Sequence, residues 1–317
     1  MNTVIGIVLF VVLAALVSLF FYTLFIARRV ELAMPPEGRF VTIMGNRVHY
    51  IEQGSGEQTI LLIHGLSGVS QNFGYSVLGQ LARHYRVVAI DRPGSGYSVR
   101  PDRSSASLAV QADVVAGVID ALDLGRPMLV GHSLGGAVSL ATALRHPDKV
   151  SRLALIAPLT HLPQSPSDAF AALGIRWPLL RKLVAWTLAT PLSIRQRDKV
   201  LDIVFGPEAV PEDFAVRGGG YLGLRPSHFV AASADLNALE AVLPAMQERY
   251  ADLRLPIAIL YGRDDRILDP KEQGQAMADR VHGVKLELVD GGHMLPVTQP
   301  DTTVAFIQRQ VQQQTTG

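Results

Sequence analysis

The sequence feature with the clearest chemical meaning is a serine between two glycines, in the pattern G-x-S-x-G at residues 131–135. An apolar run at 128–130 precedes it, and an apolar helical period at 134–145 follows it. So sharp a turn from strand to helix would hold Ser133 in a strained backbone conformation, with its hydroxyl exposed beside the helix N-terminus. Backbone N–H groups there favour negative charge. Ser133 is therefore the predicted nucleophile, and a purely structural glycine-rich turn is the alternative.

A serine nucleophile needs a base, and the base needs an acid that orients it. His293 lies in a glycine-rich loop directly after the predicted strand at 285–289, and ligand sites of open sheets lie at such strand ends. We predict that His293 is the base, with a structural histidine as the alternative. The strand before it, at 257–261, runs into a loop with several carboxylates. Asp265 is the predicted acid, and Asp264 and Asp269 are the alternates.

The oxyanion of an acyl-transfer intermediate needs two backbone donors. One predicted donor is the N–H of Leu134, the residue after the nucleophile. The other is the N–H of Leu66, in the loop that follows the predicted strand at 60–63, where Gly65 allows close approach. His64 could act as a second base, but we expect it to brace this loop through hydrogen bonds. His132 is expected to be a packed neighbour of the serine turn.

Other chemistries have little support in the sequence. The sequence has no cysteine, which excludes disulfides, thiolate zinc sites and thiol catalysis. Neither an H-E-x-x-H pattern nor a Walker A pattern is present, and Gly94-Ser95-Gly96 lacks the third glycine of a dinucleotide site. We therefore expect no metal and no cofactor. Lys and Arg number 29 against 28 Asp and Glu, so no basic field indicates a nucleic-acid partner.

Short apolar runs alternate with helical periods over most of the chain. A turn at Gly45-Asn46 predicts a hairpin of two strands, at 40–44 and 48–52. Six further runs are apolar enough to be buried on both faces of a sheet, at residues 60–64, 87–91, 128–131, 153–157, 257–261 and 285–289. Helical periods lie at residues 75–84, 108–122, 134–145 and 302–313. The alternation predicts an α/β fold with a mostly parallel sheet and helices on both faces.

Residues 159–246 interrupt this alternation. Their helical periods are punctuated by prolines and by a run of three glycines at 218–220, which predicts a helical cap inserted between two strands. The core would then consist of two parts, residues 34–158 and 247–317. Within the cap, residues 177–194 are apolar with interspersed basic side chains. This stretch is either the core of the cap with a solvated edge or a surface at a membrane interface, where Trp and Arg are favoured.

Residues 4–27 contain no charged side chain. As a helix they would be about 36 Å long, enough to cross about 30 Å of hydrocarbon. A cleaved signal peptide is the alternative, but it would carry a charged n-region and a small-residue cleavage site. We expect residues 1–33 to form a single-pass anchor with its juxtamembrane segment. Arg28 and Arg29 favour a cytoplasmic catalytic domain, Glu31 partly opposes them, and the side stays open. Ala14 and Ser18, four residues apart, would allow a homodimer.

Five pieces of the sequence, taken together and in this order, resemble the α/β-hydrolase fold superfamily over about residues 40–312. They are His64-Gly65, D-R-P-G-S-G-Y-S at 91–98, the serine turn at 131–135, Gly262-x-x-Asp265 and Gly292-His293. The resemblance implies an eight-stranded, mostly parallel sheet, a cap after the sixth strand and the triad order serine, aspartate, histidine. A serine nucleophile separates the chain from haloalkane dehalogenases and epoxide hydrolases, which use Asp. With its N-terminal segment the chain is similar to bacterial membrane-anchored lipases and phospholipases A, which implies a place in the cytoplasmic membrane.

The function expected from these observations is hydrolysis of carboxylic esters by a membrane-anchored serine hydrolase of the lipase, lysophospholipase or phospholipase A type. Lipid acyl esters are the expected substrates, because an anchor confines the enzyme to a surface rich in them. Two alternatives stay open. The same triad could cleave a carbon–carbon bond in a small diketone-like acid, with Arg217 or Arg225 as a clamp for its carboxylate. The chain could also be a non-catalytic scaffold or binding module.

Overall fold

The computed structural model describes residues 2–165 and 167–312, which contain one eight-stranded sheet. The strands are β1 Arg39–Ile43, β2 Asn46–Gln53, β3 Thr59–Ile63, β4 Arg86–Ile90, β5 Met128–His132, β6 Arg152–Ile156, β7 Ile257–Gly262 and β8 Lys285–Val289. Their order across the sheet is β1-β2-β4-β3-β5-β6-β7-β8. β2 is antiparallel to both β1 and β4, and every other pair is parallel. The predicted α/β-hydrolase sheet, opened by a hairpin, is confirmed.

Twelve α-helices lie in the described part of the chain. They are α1 Asn2–Ala33, α2 Gln71–Gly74, α3 Val77–Leu81, α4 Leu108–Ala121, α5 Leu134–Arg145, α6 Pro178–Val184, α7 Thr190–Phe205, α8 Phe214–Arg217, α9 Pro226–Glu248, α10 Ala276–Arg280, α11 Leu295–Thr298 and α12 Pro300–Gln312. A π-helical turn at Ala185–Ala189 joins α6 to α7. α6 to α9 lie between β6 and β7, where the sequence predicted the cap.

Successive side chains of the central strands enter two different apolar layers. On β3, Leu61 and Ile63 pack into the layer that contains α4 and α5. Ile60 and Leu62 pack into the layer that contains α3 and α12. This period of two is what a strand buried on both faces requires, and it puts helices on both sides of the sheet.

Two helix boundaries differ from the sequence prediction. The helix predicted at 75–84 is shorter and corresponds to α3 alone. A separate short helix, α2, ends before it at Gly74, because the backbone of Ser76 leaves the helical region with φ −157°. Gly74 and Ser76 both have low helix propensity, which makes this break inexpensive. The last helix begins at Pro300 instead of residue 302, and proline suits a first helical turn. Its predicted end at residue 313 lies outside the described residues.

The N-terminal helix is exposed over its first part and packs on the cap over its second. α1 and α9 are the two described helices that are long and apolar enough to cross a membrane, and α9 is partly buried within the fold. The Thr23 hydroxyl of α1 donates to the carbonyl of Thr187, 3.3 Å away, and the Phe20 ring lies 5.6 Å from that of Trp186. α1 is therefore part of the folded body as well as a candidate anchor. Ala14 is exposed on α1, and the homodimer stays a prediction.

Candidate active site

Ser133 lies in the turn between β5 and α5. Its φ of 54° and ψ of −121° fall in a region that residues other than glycine rarely adopt. The turn is held in place because the Ser133 N–H donates to the Ile156 carbonyl of β6, 3.0 Å away. A Cβ on Gly135 would collide with the carbonyl oxygen of Ile63, so only glycine lets α5 come this close to β3. The strained turn expected from the sequence is present.

His293 and Asp265 meet across the loops that follow β8 and β7. The Nδ1 atom of His293 is 2.7 Å from Oδ2 of Asp265, whose side chain is fully buried. The other carboxylate oxygen accepts the backbone N–H groups of Ile267 at 2.8 Å and Leu268 at 3.0 Å. Because a carboxylate can only accept, Nδ1 carries the proton and Nε2 keeps its lone pair in the neutral ring. Such a ring can remove a proton through Nε2.

The two alternate carboxylates lie elsewhere. Asp264 is exposed, and its backbone N–H donates to the Gly291 carbonyl at 3.0 Å. Asp269 is also exposed and accepts the backbone N–H of Lys271 at 2.7 Å. Of these three carboxylates, Asp265 is the one in contact with His293.

His132 connects the serine turn to the histidine loop. Its Nε2 atom lies 3.0 Å from the carbonyl oxygen of His293, so this nitrogen must be the donor. Burial, assisted by the nearby His293 ring, lowers the pKa of His132 to about 3. The sequence indicated only a packed neighbour at this position. The place of His132 directly before Ser133, on the last residue of β5, was the one available signal that it could hold the two loops together.

The loop after β3 reaches Ser133 from another direction. A Cβ on Gly65 would be 2.9 Å from the Cβ of Ser133, which requires glycine at this contact. Leu66 follows Gly65, and Leu134 follows Ser133 as the first residue of α5. The two N–H groups predicted as oxyanion donors therefore belong to residues directly adjacent to this contact.

Both ring nitrogens of His64 are engaged in bracing the same loop. Nδ1 donates to the Gly65 carbonyl at 2.8 Å, and Nε2 accepts the Arg92 N–H at 2.9 Å. Burial and the Arg92 charge lower the pKa of His64 to about 3. A histidine with no free nitrogen is not available as a second base, so the bracing interpretation agrees with the geometry.

The two arginines considered as a carboxylate clamp already have partners. Arg217 is exposed and pairs with Asp213 at 2.8 Å. Arg225 pairs with Glu31 at 2.9 Å, at the end of α1, and also donates to the Gly96 carbonyl. A clamp would have to break one of these pairs.

The family model described as the alpha/beta hydrolase fold matches residues 58–300 of this chain. The chain belongs to the α/β-hydrolase fold family. This assignment agrees with the eight-stranded sheet and makes the chain a member of a hydrolase superfamily.

Members of the α/β-hydrolase family similar to this chain include both carbon–carbon bond hydrolases and lipid hydrolases. A 2-hydroxy-6-oxononadienedioate/2-hydroxy-6-oxononatrienedioate hydrolase of Burkholderia vietnamiensis is 31% identical over 70% of this chain and 76% of its own length. A 2-hydroxy-6-oxo-2,4-heptadienoate hydrolase of Pseudomonas putida is 29% identical over 83% and 91%.

Among solved structures, a membrane phospholipase A described as a bacterial virulence factor is 27% identical, with a TM-score of 0.71. The match covers 100% of this chain and 99% of that one, so it includes the region of α1. The α/β-hydrolase fold is therefore shared with relatives of both reaction classes.

Proposed function

We propose that this chain is a membrane-anchored serine hydrolase that cleaves carboxylic esters of lipids. Ser133 is the nucleophile, His293 the general base and Asp265 the residue that fixes the imidazole tautomer. The Ser133 oxygen attacks the acyl carbonyl while Nε2 of His293 takes its proton. The leaving alcohol or lysolipid then receives that proton. Water, activated by His293, hydrolyses the acyl-enzyme and releases the fatty acid.

The negative charge that develops on the carbonyl oxygen is stabilised by the N–H groups of Leu66 and Leu134. Removal of one such donor costs about 3–4 kcal/mol of transition-state stabilisation. The position of Leu134 at the start of α5 adds the positive end of a helix dipole.

The observation that supports lipid substrates is the contact between α1 and the cap. About 20 helical residues cross the hydrocarbon core, and the uncharged run begins at residue 4. If α1 spans a bilayer, the far boundary then lies near Thr23 or beyond it. The cap touches α1 at Phe20 and Thr23, through Trp186 and Thr187. The cap would therefore lie against the bilayer surface, where lipid esters are found.

The side chains next to this contact support the same orientation. Trp177 and Leu179 are 72% and 83% exposed. Other large apolar side chains of the same stretch are also exposed: Leu180, Leu183, Leu188, Leu192 and Ile194. An apolar patch of this kind is unfavourable in water and favourable at the level of lipid headgroups.

Hydrolysis of p-nitrophenyl esters from short to long acyl chains, by the detergent-purified protein, tests the ester chemistry. We expect turnover that is retained at long chain length and is absent in Ser133→Ala. Turnover of short esters alone would contradict the proposal of lipid substrates but would still agree with the proposed triad. Turnover that persists in Ser133→Ala would overturn the assignment of the nucleophile.

A second candidate is hydrolysis of a carbon–carbon bond by the same triad, and the names of the 29–31% identical relatives favour it. The pairing of Arg217 and Arg225 with acidic partners counts against a carboxylate clamp. Supplying 2-hydroxy-6-oxo-2,4-heptadienoate, the compound named for one relative, separates the candidates. Faster turnover of this acid than of any ester would favour the second.

A further inference from the structure

The peptide group between Gly65 and Leu66 is held at its carbonyl end by three donors. The Gly65 oxygen accepts from Nδ1 of His64 at 2.8 Å, from Nη2 of Arg92 at 2.9 Å and from the N–H of Gly68 at 3.2 Å. The opposite end of the same peptide group is the N–H of Leu66. Because a peptide group is planar, fixing its carbonyl also fixes the direction of its N–H. Donation to the carbonyl also polarises that N–H and strengthens it as a donor.

Arg92 connects the loop after β3 to other elements of the fold. Its side chain is 1% exposed, and Nε donates to the His64 carbonyl at 3.0 Å. The remaining nitrogen, Nη1, donates to Gln111 at 2.7 Å and to Asp235 at 2.6 Å. One guanidinium group therefore holds two successive carbonyls of the loop and a carboxylate outside it.

That carboxylate belongs to the cap. Asp235 lies on α9 with a fully buried side chain, and its second oxygen accepts from Arg100 at 2.6 Å. Removing one partner from a buried ion pair leaves an uncompensated charge, so loss of Asp235 would free the Arg92 guanidinium to turn away from the loop. The cap and the oxyanion loop are thus joined through buried charges.

We propose that Arg92 and the cap residue Asp235 are positioning residues for the oxyanion hole. Asp235 holds the Arg92 guanidinium, and Arg92 holds the Gly65–Leu66 peptide with its N–H in the productive direction. The proposal rests on the proposed function, which assigns the Leu66 N–H to the oxyanion. It adds that the placement of the cap affects the chemical step, in addition to substrate access.

The test compares Asp235→Asn with a matched control, Glu52→Gln. The Asn variant keeps the size of the side chain and one acceptor but removes the charge. The control removes a carboxylate that pairs with Arg86 at 2.8 Å, between β2 and β4, away from the serine turn. With a short p-nitrophenyl ester we expect Asp235→Asn to lower kcat about tenfold, less than the 10²–10³-fold of a lost donor. KM should stay within about twofold, because the affected interaction strengthens in the transition state.

The rate of inactivation by an active-serine phosphonate gives a second readout that needs no natural substrate. We expect the rate to fall by the same factor in Asp235→Asn and to be unchanged in Glu52→Gln. A lower Tm with wild-type kcat and inactivation rate would overturn the positioning role and leave Asp235 structural. A wild-type protein that the phosphonate does not label would overturn the proposed function itself, and the role of this network with it.

Discussion

Apolar side chains are buried in the strands that lead to the carboxyl edge of the sheet, and they are exposed on the outer face of the cap. All residues of β5 and β7 are buried, and polar side chains appear only where these strands end. In α6, a helix that the structure describes completely, Arg181 is the single buried residue, and Leu179 and Leu183 point outward. The buried guanidinium donates to Ser233 and to the Ile175 carbonyl.

This contrast supports the proposal that the outer face of the cap meets lipid rather than water. A helix that buries an arginine and exposes leucines is costly in water, because burial of apolar area is the main stabilising term. The same helix would lose little stability if its outer face met lipid. In the proposed function, the sheet edge carries the chemistry and the cap determines where that chemistry takes place.

The largest expected effect is at the sheet edge. Ser133→Ala should lower kcat for esters by about 10⁶-fold, because the acyl-enzyme can no longer form. Circular dichroism and Tm should show an intact fold. A residual rate within about tenfold of the wild type would show that the chemistry lies elsewhere.

The second largest effect on kcat is expected for substitution of the proposed acid, Asp265. Asp265→Asn should lower kcat about 10⁴-fold, since an amide stabilises the wrong imidazole tautomer. Asp264→Asn is the matched control, one residue away and exposed, and should stay within about twofold of the wild type. Equal losses in the two variants would contradict the assignment of Asp265.

A smaller and more selective effect is expected in the cap. Leu179→Asp should lower turnover of phospholipid vesicles about tenfold, because one buried CH₂ contributes about 0.8 kcal/mol at a bilayer and a charge opposes insertion. Turnover of a short soluble ester should not change. Val99→Asp, at an exposed apolar position of the core, is the control and should affect neither substrate. A loss of turnover on both substrates in Leu179→Asp would mean that the substitution disturbs folding rather than contact with the bilayer.

The smallest effect near neutral pH is expected from three buried histidines. Burial lowers the pKa of His64 and His132 to about 3 and that of His228, on α9, to about 4. In the unfolded chain these rings titrate near about 6.5, so the unfolded state binds more protons below that pH. The stability that these neutral rings contribute is therefore fully present above pH 6.5, and it is lost as the pH falls toward 4 for His228 and toward 3 for His64 and His132.

Between about pH 4 and 6.5 each of these histidines should contribute a slope of about 1.4 kcal/mol per pH unit to the free energy of unfolding, and above that range the slope should vanish. Denaturant unfolding in detergent between pH 4.5 and 7.5 measures this slope. His228→Gln should reduce it by the contribution of one histidine. An unchanged slope would show that His228 is not buried in the neutral form.

The sequence predicted the sheet edge better than the cap, for physical reasons. Strand period, glycine motifs and the loops that follow strands are local features of the sequence, and they were the basis for proposing Ser133, Asp265 and His293. The contact of Nδ1 of His293 with Asp265 rather than Asp264 is consistent with the first choice. The Arg92–Asp235 pair joins residues 143 positions apart, and no local pattern indicates such a partner.

The contact of α1 with the cap could not be predicted from the sequence either. The apolar run at 4–27 predicts a span from composition alone. The donation from Thr23 to the Thr187 carbonyl depends on tertiary packing, which composition does not encode. The exposure of Trp177 likewise depends on how the cap folds.

The most direct test of lipid hydrolysis is the release of fatty acid from vesicles of a diacyl phospholipid by the full-length protein, with Ser133→Ala in parallel. We predict steady release by the wild type and none by the variant. Hydrolysis of short soluble esters without any release from vesicles would contradict the proposal that this chain is an anchored hydrolase of membrane lipids.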